Sequence, residues 1–543
     1  MKKYLLLSFL SLIFITYSHS QNLYLPLNRD IYQEYDSYLN NLDVSFHSAM
    51  KPYRMEDITN AIKVDSLDIC YGTKQKHEGD SWLKRKLSYE HLFVVDSADY
   101  MLRVDPLFDI DGGQSKNGNI NKSTHANTRG VMFEGNIGKT FSFSASYYEN
   151  QAVFPEYISQ FVRDTNNNVV PGEGRVKDFK KEGFDYGIAS GYISYTPSKH
   201  FSFQFGTDKN FIGEGYRSLF LSDNAFNYPF LKITTNIWKL QYTNLYCSLL
   251  DLRPSPIAQP AEAANQFFSR KYMTSHYLSW NVSKRVNIGI FESIIFCDTL
   301  NHGAFRVDYL NPIIFYRPIE YSLGSPNNAL LGASLNIKIN NNNKFYSQVL
   351  LDEFVLDSVK HYSNGWWGNK QAIQAGIKSN NIFGVNKLRF QTELNWVRPY
   401  TYSHGTNLQN YGHYNQSLAD PLGANFYESI SFLSYRSGRW FMEAKFNYAV
   451  VGTDTAGINF GQDIWKTYND STIKVDGNHT TQGLKNTIMY NDFRVSYLVN
   501  RAYNINIEAA VSLRSQVTAL QSTKNTWFSF GIKTSLTNHY YDF

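Results

Sequence analysis

Aromatic rings beside forked cationic groups recur along this chain, and that pairing is the one binding chemistry its long polar stretches offer in quantity. Tyr216 adjoins Arg217, Phe315 and Tyr316 precede Arg317, Trp366 adjoins Trp367, Arg398 is followed by Tyr400 and Tyr402, and Tyr411 to Tyr414 surround His413. Asp208, Lys209 and Arg306 sit at the edges of such stretches. Rings stack on the C–H faces of sugars, while guanidinium forks bond hydroxyls and, best of all, carboxylates. The chemistry implied is saccharide or partner binding, with Asp208, Lys209, Tyr216, Arg217, Arg306, Arg317, Trp366, Trp367, Tyr411 and His413 as candidate contacts. Each has a structural alternative: rings packing at a rim, and charges anchoring loops as ion pairs, since buried charges usually pair.

Catalysis finds no comparable support. The sequence has no G-x-S-x-G elbow, no H-E-x-x-H, no P-loop and no C-x-x-C. Asp164 to Asn168 begins like a calcium loop but has Val169 where a glycine is needed and Arg175 where the closing glutamate belongs. The run from Asp105 to Gly113 reads as a turn. No metal, cofactor or catalytic residue is expected. A formal charge of +5 is too small to imply nucleic-acid binding. Cys70, Cys247 and Cys297 are far apart and odd in number, so small apolar residues within strands are expected rather than a disulfide framework.

What would position the candidate residues is legible in the alternation. Phe201, Phe203 and Phe205 point one way and Ser202 and Gln204 the other. Residues 388–396, 440–448 and 505–514 alternate as cleanly, with charges on one face only. Aromatic residues make up 16% of the chain, yet the mean hydropathy is −0.39. A membrane β-barrel combines these, with lipid-facing apolar residues alternating with lumenal polar ones. Links also alternate in length. Tight ones are expected at Gly138-Lys139, Pro197-Ser198, Ser283-Lys284, Asn341 to Asn343, Ser437-Gly438 and Asn500-Arg501, separated by long polar loops. Parity then requires the stretch from Phe230 to Leu250 to fold as a hairpin, turning near Asn236. The expected fold is all-β: an antiparallel transmembrane barrel of about 18 strands over residues 100–543.

Lys2, Lys3 and the apolar run from Leu5 to Ile15 read as a signal peptide over 1–20, cut after Ser20. Residues 21–99 are expected to form a small, partly helical plug or periplasmic domain, with Asn28 or Asp30 capping one helix and Ser81 another. The chain closes on Phe543, an aromatic end of the kind barrel-assembly machinery reads, although Phe528, Phe530 and Ile532 share a parity that Phe543 lacks. Outer-membrane lipid is thus one expected partner.

Three blocks carry a resemblance. Gly206-Thr-Asp-Lys-Asn-Phe-Ile-Gly-Glu-Gly-Tyr-Arg-Ser-Leu-Phe-Leu-Ser-Asp-Asn-Ala225 is the first, Phe305 to Pro312 with Pro326 to Gly332 the second, and Asn410 to Tyr414 with Asp420 to Asn425 the third. Together they resemble the Wzi-type capsule-assembly family, in particular its gliding-motility branch, that of RemB. The resemblance implies an 18-stranded outer-membrane barrel with a helical N-terminal portion. It also implies capsular or other exopolysaccharide as ligand, or gliding and surface proteins as partners. A diffusion porin and, more remotely, an outer-membrane hydrolase are the alternatives.

Overall fold

The computed structural model describes residues 23–62, 79–164, 168–253, 268–297, 305–315, 324, 327–352, 364–534 and 536–543. The proposed signal segment, Cys70 and Arg317 lie outside them. Eighteen antiparallel strands close into a barrel. They are β1 (Tyr100–Asn117), β2 (Ile120–Ile137), β3 (Phe141–Val153), β4 (Gly183–Ser198), β5 (Phe201–Asp208), β6 (Tyr228–Ile237), β7 (Leu240–Asp251), β8 (Ser269–Asn281) and β9 (Val286–Phe296). The second half comprises β10 (Asn328–Lys338), β11 (Asn343–Asp352), β12 (Gln371–Asn380), β13 (Leu388–Val397), β14 (Phe426–Ser437), β15 (Trp440–Thr453), β16 (Leu484–Asn500), β17 (Ile505–Val517) and β18 (Ser522–Thr534). Each strand pairs with its neighbours in sequence, and β18 closes on β1 from Asn525 opposite Asn117 to Lys533 opposite Asp109.

Side chains obey the expected alternation. Phe201, Phe203, Phe205, Leu394, Phe446, Tyr448, Phe493, Phe528 and Phe530 are exposed on the outside. Gln204, Glu393, Asn395, Asn447 and Ser512 are buried within. An apolar exterior around a polar interior is the inversion a bilayer demands. Trp238, Trp280 and Trp440 stand exposed beside tight turns, as in an interfacial aromatic girdle. Phe446 and Phe493 meet edge to face at 5.8 Å in the middle of this belt. Phe446→Arg is expected to lower stability by about 2–4 kcal/mol, read as a fall in the urea midpoint of the barrel refolded into vesicles.

The hairpin required by parity is present: β6 and β7 pair from Phe230 opposite Cys247 to Ile237 opposite Leu240. Its two-residue turn is Trp238-Lys239, with Trp238 at φ +54°. A positive φ at tryptophan is why no turn residue announced it. The described cysteines, Cys247 and Cys297, form no disulfide with each other.

Three expectations change. The run Asp105 to Gly113 is no turn but the middle of β1, with Asp105 buried and accepting from the Leu92 amide at 2.8 Å. Link lengths do not alternate throughout, because β1–β2 and β17–β18 are joined at the long-loop end by short turns. The stretch after β5 does not leave the barrel as an open loop. Asn210, Arg217, Ser218, Leu219, Phe220 and Leu221 have no exposed surface, so this segment folds down into the lumen.

The N-terminal residues also lie within the lumen. Helix α1 (Arg29–Leu39) is capped by Asn28, whose side chain accepts from the amides of Asp30 and Ile31. A second helix, α2 (Met55–Ile62), packs with it through Ile58, Tyr35 and Leu39. Outside the lumen, α3 (Trp82–Ser88) is capped by Ser81. It sits by the β16–β17 turn, where the Asn500 side chain donates to the carbonyls of Lys86 and Glu90. The chain end leaves the wall after β18, and residues 536–543 turn inward, with Tyr540 and Asp542 buried. That is the physical reason for the parity break at Phe543.

Candidate functional site

The segment 209–227 crosses the lumen from the β5–β6 wall to the facing wall, and its polar groups explain how. Glu393 of β13 accepts the amides of Tyr216 and Arg217 at 2.8 and 3.0 Å. Gln348 of β11 accepts the Leu219 amide at 2.8 Å and donates to the Ile212 carbonyl at 2.9 Å. Glu214 accepts from Asn336 of β10 at 2.7 Å, from Lys344 of β11 at 2.8 Å and from the Ser48 hydroxyl. The segment is also stitched to the N-terminal residues, with Met50 and Lys51 laddered to Ile212 and Phe211. Gly332 on β10 leaves room for the Phe220 ring, which a Cβ there would meet at 2.4 Å.

Arg217 is the centre of this packing. Its Nη2 lies 2.9 Å from Glu428 Oε1 and 3.2 Å from Asp542 Oδ1, and its Nε lies 3.7 Å from Asp420 Oδ2. Lys445 adds a second cation, 3.3 Å from Asp542. Burial opposes ionisation of Asp542, yet Arg217 and Lys445 together hold its pKa down at about 2. Asp420 goes the other way: burial and the neighbouring Glu428 carboxylate push its pKa well above the usual range. Two cations, Arg217 and Lys445, thus meet the carboxyl groups of Glu428, Asp542 and Asp420 in a closed, buried knot.

Singled out as candidate contacts in a long polar loop, the residues of this segment lie inside the barrel. Arg217 is 0% exposed and Tyr216 packs between Phe432 and Tyr540. Lys209 donates to the carbonyls of Gly172 and Asp223 at 2.6 and 3.0 Å, and Asp208 accepts the Lys209 amide. The next loop, 398–425, lies on the segment: Tyr411 and Tyr402 donate to the carbonyls of Phe220 and Leu219 at 2.6 and 2.8 Å. His413 accepts the Leu250 amide on Nδ1 at 2.9 Å, so its Nε2 carries the proton and faces the Asn227 carbonyl at 3.3 Å. Arg306 sits apart, partly exposed, 3.5 Å from Asp308. Trp366 and Trp367 lie together in an outer loop at 5.8 Å, with Trp367 4.8 Å from Tyr468. The structure thus brings Asp208, Lys209, Tyr216, Arg217, Tyr411 and His413 into one interior and leaves Arg306 and the tryptophan pair outside it.

Burial drives the His413 pKa down to about 3. A neutral folded histidine whose unfolded counterpart titrates near 6.5 contributes a penalty as pH falls below that value. His413→Gln is therefore expected to flatten the stability profile: between about pH 8 and 5 the wild type loses about 2 kcal/mol more than the variant, measured as urea midpoints across that range.

Two spaces remain. One, of about 240 Å³, runs along the inner face of β1 to β5 beside the plug and is lined by Glu134, Tyr148, Glu173, Asp208 and Lys209 among others. The other, of about 410 Å³, opens at the long-loop end. Its walls are the ends of β1, β15 and β16, the β17–β18 hairpin, and α4 (Glu156–Asp164), with the Phe543 ring beside Phe161 at 4.6 Å. It presents Tyr157, Phe161 and Phe543 together with the amides of Asn117, Gln160, Asn486, Gln516, Gln521 and Asn525. Aromatic faces among amides, in a volume within the usual ligand range, suit an oligosaccharide. Sequence reasoning passed over this cleft because isolated Asn and Gln on strands look like ordinary lumenal polar residues. Only closure of the barrel brings β1 beside β18.

No protein-family model matches the sequence, and no curated protein matches it either. Among solved structures the chain is similar to Wzi of Escherichia coli, described as an outer-membrane protein involved in group 1 capsule assembly and a carbohydrate-binding β-barrel. The TM-score is 0.54 at 12% identity, over 95% of this chain and all of that one. OccK8 (OprE) of Pseudomonas aeruginosa aligns with 79% of this chain and 97% of its own at a TM-score of 0.43 and 8% identity. OprD of the same organism gives 0.39 at 7% identity. The first of these shows a common barrel fold along nearly the whole chain.

Proposed function

We propose that this chain is an outer-membrane barrel that holds surface polysaccharide at its outer end, with no catalytic step and no open pore. One observation carries the reading: an amide-and-aromatic cleft opens at the outer end of a barrel whose interior is tied shut by buried ion pairs. A platform of that kind can hold a ligand at the surface without passing it. The likeness to the carbohydrate-binding Wzi barrel supports the same role. The resemblance to the RemB branch extends the proposal to gliding motility, in which the held glycan would transmit force rather than form a coat. Arg217, Tyr216, Tyr411 and His413 serve in this reading as anchors that set the loops, while Trp366, Trp367 and the cleft face the ligand.

Comparison of a deletion strain with its parent tests it. Polysaccharide is expected to shift from the cell-bound fraction to the medium, and re-expression of the chain to restore it. A full, firmly held polysaccharide layer in the deletion strain, together with normal gliding, would sink the proposal.

A further inference from the structure

Resting on the polysaccharide-holding role just proposed, we infer that the outer cleft is a subsite for an uncharged, hydroxyl-bearing saccharide, read by Asn486 on β16 and Asn525 on β18, rather than for an acidic one. Both residues are more than nine-tenths buried, at 8% and 6% exposure, and both line the cleft. Asn486 Oδ1 and Asn525 Nδ2 have no hydrogen-bonding partner among the described residues. In the Asn525 amide, Oδ1 accepts the Ser115 hydroxyl at 3.3 Å and Nδ2 is left as the unmet donor. Buried polar atoms are nearly always paired, and one unmet acceptor with one unmet donor in a single cleft indicates a ligand that supplies both.

Hydroxyl chemistry satisfies that demand and carboxylate chemistry does not. A sugar hydroxyl can donate to Asn486 Oδ1, and another can accept from Asn525 Nδ2. An ionised carboxylate only accepts, so against Asn486 it leaves the acceptor unmet. Strands β16 and β18 flank β17, and the register sets Asn486 beside the Thr487–Val517 pair while Asn525 lies opposite Arg514, so the two amides are about 16 Å apart, two strand spacings across and four residues along, a span bridged by several sugar units rather than by one. The cation of the cleft is largely committed: Arg514 donates Nε and Nη2 to the main-chain oxygen of Phe543 at 3.1 and 2.9 Å, and its guanidinium lies 4.7 Å from the centre of the Tyr157 ring. The partly exposed rings of Phe161 and Phe543 are left to take the apolar faces of the sugars.

The full chain, solubilised in detergent and fixed to beads, is offered surface polysaccharide from its own cells, split by anion exchange into neutral and acidic fractions. The neutral fraction is expected to be retained about tenfold more strongly. Asn525→Asp, which removes the donor, is expected to lose about tenfold in retention, the equivalent of one buried hydrogen bond. Asn486→Asp, which keeps the acceptor, is expected to hold the neutral fraction within a few fold. Heat-modifiable migration on gels verifies that each variant is folded. Preference for the acidic fraction, or neutral binding unchanged in Asn525→Asp and in an Asn486→Ala, Asn525→Ala pair, overturns the subsite. Retention of neither fraction by the wild type overturns the underlying polysaccharide-holding role instead.

Discussion

Arg217→Met is expected to cost about 3–5 kcal/mol, a large part of what holds a barrel of this kind together. The guanidinium has no exposed surface and stands against Glu428, Asp542 and Asp420. Removing it leaves Glu428 and Asp542 buried with only Lys445 to answer them. Lysine is not an adequate replacement. It keeps the charge but cannot bond Glu428 through two nitrogens, and it loses the flat contact with Tyr216 and Tyr540, whose ring centres lie 4.9 and 5.4 Å from the guanidinium. The pH dependence separates this cause from simple loss of packing. In the wild type, Asp542 with its pKa held at about 2 contributes stability that is present above the ordinary carboxylate range and is lost as pH falls through that window. In Arg217→Met the stranded carboxylates favour protonation, so the deficit should shrink as pH falls. Urea midpoints of both proteins from neutral to acid pH measure this. A variant as stable as the wild type at neutral pH would show that the knot carries no energy.

The barrel was legible because one physical constraint, lipid outside and water inside, is written residue by residue as the alternation of Phe201 to Phe205 or Trp440 to Tyr448. The helix Arg29–Leu39 was legible too, since Asn28 announced its start and Ile31, Tyr35 and Leu39 its buried face. What alternation could not convey was the direction a loop takes after its strand ends. The sequence from Lys209 to Asn227 looks like any charged, glycine-containing outer loop. Its burial depends on partners such as Glu393, Gln348 and Glu428, which lie more than a hundred residues away on the facing wall. Loop charge alone could not separate an exposed contact from a pairing across the lumen, the two readings it left open. The tail misled similarly, because Phe543 has the composition of a strand end but packs on Phe161 inside the mouth.

In planar bilayers the intact protein is expected to show no resolved current steps, and a plug-weakened variant, Asp30→Ala, Glu34→Ala, Asp36→Ala, to show resolved steps smaller than those of an empty barrel, because segment 209–227 still crosses the lumen. Barrels of 16–18 strands leave an aqueous channel when nothing fills them. Here α1 is clamped to the wall by charge. Asp30 meets Arg494 at 3.0 Å, Glu34 meets Arg389 at 2.8 Å and Arg436 at 2.7 Å, Asp36 meets Lys378 at 2.5 Å, and Arg29 meets Glu443 from the other side. Removing the three carboxylates strips Arg389, Arg436 and Lys378 of their partners and takes one from Arg494, so α1 is left tied to the wall mainly by the Arg29–Glu443 pair and by Asn40 on the carbonyls of Asn340 and Asn341. Water can then solvate those cations only by entering where the helix stood. The same substitutions leave Glu428, Asp420, Asp542 and the outer cleft untouched, so polysaccharide retention should survive while conductance rises. If the wild type conducts as freely as the variant, the ion pairs do not seal the lumen, and a diffusion porin becomes the better description of the chain.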